Sequence, residues 1–95
     1  MSKEEEIMNF LHERVFDPVL QSPSASKSLK QGARLTITRM SRLDALGMMK
    51  YYWSAIVGIE RSIDFATKLR EAEFIRFEEV IDEFRLRFSD QWLRS

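Results

Sequence analysis

The single histidine, His12, is the natural starting point for proton transfer or metal ligation, and no acid or nucleophile stands at a recognisable spacing from it. Catalysis needs partner groups within hydrogen-bond reach, so an isolated imidazole reads as a surface or half-buried side chain. Acidic residues gather at Glu78, Glu79, Asp82 and Glu83. Two carboxylates on one helix face could begin a metal site, but di-iron bundles complete theirs with Glu-x-x-His pairs. No Asp or Glu lies three residues before His12, so the set is incomplete and the acids read as a solvated face. With no cysteine there is no disulfide, thiolate metal site or thiol nucleophile. A glycine-rich phosphate loop, a nucleophile elbow and zinc-ligand spacing are also missing from the sequence. These residues point to a protein that is not an enzyme and that needs no cofactor or metal.

The most unusual run is Tyr51-Tyr52-Trp53. Consecutive residues on a helix are about 100° apart, so three rings in a row cannot all face one core. At least one must meet a second neighbour, a partner chain, a ligand or solvent, and aromatic residues are concentrated at interfaces. Met49, Tyr51, Tyr52 and Trp53 are therefore the candidate interface residues. A narrow line of Gly47, Lys50, Ser54 and Gly58 runs along the same helix, and its small residues offer a second surface for close approach.

Arg34-Leu35-Thr36-Ile37-Thr38, with Ser41 opening a helix, resembles the start of ribbon-helix-helix repressors and antitoxins. In that family a short strand pairs across a dimer, its outward residues enter the DNA major groove, and two helices follow. The resemblance implies that Arg34, Thr36 and Thr38 contact DNA while Leu35 and Ile37 pack inward. Gly58, with Ser62 after it, would mark the join of the two helices. Arg39 departs from the pattern, which wants an apolar residue there, and the first thirty residues and the final helix have no counterpart.

The elements that must position these residues read as helices. Ser2 and Glu5 form a capping box, Glu4, Glu5 and Glu6 suit the positive end of a helix dipole, and Ile7, Leu11 and Val15 line one face. Asp17-Pro18 is expected to stop this helix, because the residue before proline is pushed out of the helical region. Residues 17–28, with two prolines and four serines, read as a connection with room for one turn of helix. Leu29, Ala33, Ile37 and Met40 have helical spacing, although residues 34–39 alternate like a strand; helix is the reading adopted. Ser41 with Asp44 is expected to cap a long helix, apolar on most sides from Leu43 to Ile59 and therefore central or shared with a partner. In the last helix Phe74, Phe77, Val80, Ile81, Phe84 and Phe88 fall in one arc, with a Glu83–Arg87 pair outside it. The two apolar stripes are out of phase, which predicts a turn between Arg70 and Glu73.

At 95 residues the chain is one domain, 1–95. With 44% hydrophobic and 32% charged residues, only three Gly and two Pro, it is expected to be an all-α protein, a small bundle of about four helices around a long, mostly apolar central helix. The acidic start lacks a secretory signal, and the most apolar stretch is short and carries Lys50, so a cytoplasmic protein without a membrane span is expected. Charge is uneven within a net of zero. Residues 1–17 hold two bases against five acids, 18–58 six against one, and 59–95 seven against nine. The expected role is a non-catalytic interaction or regulatory module acting as a homodimer, with a possible further protein partner. The alternative is a ribbon-helix-helix-like DNA-binding regulator, for which the basic middle would meet nucleic acid.

Overall fold

The Ser2 hydroxyl accepts from the Glu5 amide at 3.1 Å and the Glu5 carboxylate accepts from the Ser2 amide at 3.5 Å, so the first helix starts on the expected capping box. The computed structural model describes residues 1–57 and 77–95, with the side chains of 55–57 and 77 left aside. Every regular element among the described residues is helical: α1 (Lys3–Leu11), a π-helical turn (His12–Phe16), α2 (Asp17–Gln21), α3 (Lys27–Met40), α4 (Ala45–Val57), α5 (Phe77–Arg87) and α6 (Asp90–Arg94). The fold is a small all-α bundle. The expected turn at Arg70 to Glu73 and the helical join at Gly58 lie outside the described residues, as does the end of the apolar stretch at Ile59.

The first helix does not stop at Asp17-Pro18. A proline inside an α-helix lacks one donor and its ring meets the carbonyl four residues back. Here the chain widens into a π turn just before the proline, and the Asp17 amide bonds the carbonyl of His12, five residues back. The extra residue in the turn absorbs the clash, and α2 continues the line to Gln21. The pre-proline rule acts one proline later: Ser22, before Pro23, is extended with ψ 126° and ends α2. Ser26 then caps α3 by accepting from the Leu29 amide at 3.0 Å.

Residues 34–39 belong to α3, so the helical spacing prevails over the local alternation. Leu29, Ala33 and Met40 are buried on its inner face. Both threonine hydroxyls donate to carbonyls one turn back, Thr36 to Gly32 at 2.7 Å and Thr38 to Arg34 at 3.0 Å. Ser41 closes α3 instead of opening α4, its hydroxyl donating to the Thr38 carbonyl at 2.9 Å. The N-terminus of α4 is held by two carboxylates: Asp44 accepts from the Gly47 amide, and Glu4 of α1 accepts from the Ala45 amide, each at 2.8 Å. A Cβ on Gly47 would lie 3.0 Å from Asp44 Oδ1 and 3.2 Å from Leu43 Cβ. The small residue there makes room for the chain's own cap.

One core runs through the bundle. Ile7, Phe10 and Leu11 of α1, Val15 and Phe16 of the π turn, and Val19 of α2 meet Leu29, Ala33 and Met40 of α3. Ala45, Met48, Met49 and Tyr52 of α4 and Val80, Ile81 and Phe84 of α5 complete it with Phe88. Phe84 is fully buried and joins three elements, its ring 3.9 Å from Tyr52, 4.8 Å from Phe88 and 6.0 Å from Phe10. The radius of gyration, 12.7 Å, is about that of a globular chain of this length.

Polar ties then cross the bundle. Arg14 Nη1 reaches both Glu83 oxygens at 2.9 Å. Glu83 is thus taken by α5's neighbour rather than by Arg87, whose guanidinium lies 5.6 Å from the Phe10 and Phe88 rings. Ser89 caps α6, a short helix that the serine-asparate pair at 89–90 could have announced, and Lys3 Nζ donates to the Trp92 and Ser95 carbonyls at its far end.

Candidate functional site

The aromatic run on α4 divides as helix geometry requires. Tyr52 turns inward and stacks on Phe84, ring planes 22° apart. Tyr51 and Trp53 lie about 100° to either side of it, half-buried against the core margin. Of the four candidate interface residues, Met49 and Tyr52 are 5% and 6% exposed and their surface is used by the chain's own core. Tyr51 and Trp53 retain exposed area.

Trp53 is the more developed of the two. Its ring meets Phe84 edge-on at 6.0 Å and Tyr52 at 5.5 Å, and the Arg85 guanidinium of α5 lies 5.3 Å from its centroid. A cation over an indole face is attracted by the ring quadrupole. Leu46, two turns earlier on the same side of α4, is 43% exposed, and Lys50 between them is exposed. The result is a strip of leucine, lysine stem, indole and guanidinium at the edge of the core. Arg85 could not be found from the sequence, because nothing in the spacing of residues 53 and 85 indicates that α5 lies beside α4. Leu86 is 84% exposed, but it points away from Phe84, among Glu79 and Asp82, and stands alone.

His12 has a partner that sequence spacing did not reveal. Its Nδ1 lies 3.0 Å from Asp17 Oδ1, and its ring meets Phe16 edge-on at 5.4 Å. Residues five apart diverge on an α-helix; the π turn, with its i→i+5 bonding, brings them to one side. The pair bridges the two ends of the π turn, where both side chains are partly exposed.

The acids of α5 do not converge. Glu78, Glu79 and Asp82 are exposed, whereas Glu83 turns to Arg14. No group of three or more His, Cys, Asp or Glu placed to hold a metal occurs among the described residues.

The alternative DNA-contacting residues are placed on a helix. Arg34 and Thr38 share the exposed side of α3, while Thr36 faces the other way and is half-buried. The strand that the ribbon-helix-helix resemblance requires at residues 34–38 is not formed, because Leu29, Ala33 and Met40 bury as one helical face and the hydroxyls of Thr36 and Thr38 are bonded within the helix. None of the described helices is long and apolar enough to cross a membrane. No family model, curated protein or solved structure matches the chain.

Proposed function

We propose that this chain is a non-catalytic helical interaction module that works as a homodimer through the Leu46–Trp53 side of α4. The observation that carries this reading is the half-buried Trp53, framed by Arg85 and in line with the exposed Leu46. Tryptophan and arginine are the residues that most often dominate binding energy at interfaces. The occupant is a second copy: the net charge of zero offers no overall repulsion between copies, and two-fold dimers are the commonest soluble oligomers. A standard interface buries about 800 Å² per partner, roughly an eighth of this chain's 6129 Å², so the contact extends from α4 onto the Arg85 side of α5. His12 fits the same reading, as a local tie to Asp17 across the π turn. A cytoplasmic setting goes with it, supported by the lack of cysteine.

Light scattering at micromolar concentration is expected to give twice the 11.3 kDa chain mass. Leu46→Glu, a change at an exposed position, should return the protein to monomer with its helical content intact. Trp53→Ala should do the same at some cost in stability. A monomer mass for the unaltered chain would refute the dimer, and a dimer that survives both substitutions would refute this surface.

A further inference from the structure

From Pro18 to Leu43 the chain has no acidic residue and five bases, and most of that stretch is α3 with its flanking turns. The structure turns four of the five outward, all but the half-buried Arg39. Lys27, Arg34 and Arg42 are exposed and Lys30 is half-exposed. On α3, Lys27, Lys30 and Arg34 fall within an arc of about 60°, and Gln31 and Thr38 border it. Arg42 lies in the turn that follows. None of these four cations has a salt-bridge partner among the described residues, in contrast to Arg14.

The start of α3 adds a second observation. α1 carries three glutamates in its first turn, α5 two and α6 an aspartate, whereas α4 has Asp44 and Glu4 on its first amides. α3 has no acid in its first turn and places Lys27 and Lys30 there instead. Cations at the positive end of a helix dipole oppose folding, so this arrangement gains nothing for the helix itself. It adds to the positive potential outside.

We propose that the outward face of α3 binds duplex nucleic acid through the phosphates. Lys27 and Arg34 are seven residues apart, roughly 10 Å along the axis, a span that meets about three successive phosphates of one strand. A 14-residue helix is about 21 Å long, and the major groove admits one. The contacts are to the backbone, so binding tolerates many sequences. An anionic membrane is the weaker fit. A helix lying on a bilayer inserts an apolar face, and that face of α3, Leu29, Ala33 and Met40, is already buried in the core. Leu35, 48% exposed, is a single side chain on the outer side. The inference rests on α3 and is independent of how α4 is used.

The test is fluorescence anisotropy with a labelled mixed-sequence DNA duplex across a salt series. Four phosphate contacts predict a slope of log K against log salt of about −3.6 per chain engaged, a loss on the order of a hundredfold between about 50 and 200 mM. Arg34→Gln should flatten the slope by about 0.9 per chain engaged. The combined Lys27→Gln, Lys30→Gln, Arg34→Gln and Arg42→Gln variant should lose binding while keeping its circular dichroism, with an unfolding midpoint unchanged or raised by removal of the two lysines from the positive end of α3. Absence of binding at low salt, or binding unchanged in the combined variant, would overturn the proposal. So would tighter binding to phosphatidylserine-containing vesicles than to the duplex.

Discussion

Truncating Phe84 to alanine removes the ring around which three parts of the bundle close. It is fully buried, stacks on Tyr52 at 3.9 Å, and meets Phe88, Phe10 and Trp53 at 4.8, 6.0 and 6.0 Å. Loss of a buried phenylalanine side chain costs about 3–5 kcal/mol, from lost transfer energy and the cavity left behind. The upper half of that range is expected, because the neighbours are rings on α1, on α4 and just past the end of α5 that cannot all collapse into one gap. A chain of 95 residues has a stability of about 5–14 kcal/mol, so this substitution removes a large share of it. The midpoint of thermal unfolding should fall by roughly 16–40 °C, at about 4–8 °C per kcal/mol for a domain of this size. Urea unfolding followed by far-ultraviolet circular dichroism measures the loss directly. Leu86→Ala on the same helix is the control: Leu86 is 84% exposed and its loss should change stability by no more than about 0.5 kcal/mol. A loss below about 1 kcal/mol for Phe84→Ala would mean that the face is not core and that the packing described here is wrong.

Glu4→Ala should cost about 0.5–2 kcal/mol in urea unfolding, as loss of a helix cap does, because the Ala45 amide then loses its acceptor. Ser26→Ala should cost about 1 kcal/mol by the same measurement, since the Leu29 amide is left without its cap. The Arg14–Glu83 pair is 38% and 41% exposed, so a double-mutant cycle should return a coupling of about 0.2–1 kcal/mol that shrinks with added salt; a larger, salt-insensitive value would place the pair in a drier setting. Lys3→Met should speed amide exchange at residues 92–95 and leave α3 unchanged, because Lys3 holds the carbonyls of Trp92 and Ser95.

Much of this fold is written in local sequence. The Ser2–Glu5 capping box and the apolar arc of Val80, Ile81, Phe84 and Phe88 each depend on residues a few positions apart, and each forms as its spacing predicts. The splitting of Tyr51, Tyr52 and Trp53 follows from the angle between consecutive helical residues, and α3 follows from the period of Leu29, Ala33 and Met40. What tertiary structure decided are the pairings between distant residues. Glu83 had a plausible partner four residues on, yet it bonds Arg14, 69 positions away, because packing of Phe10 against Phe84 and Phe88 brings those helices together. Ser41 looked like the cap of α4, but the start of that helix is held by Asp44 and by Glu4, from a helix 41 residues earlier. At Pro18 the local rule predicted a stop, and the helix continues through a π turn so that Val15, Phe16 and Val19 all reach the core. The same turn sets His12 against Asp17. Local sequence sets which face of each helix is apolar; the partner of each polar group depends on which helices those faces bring side by side.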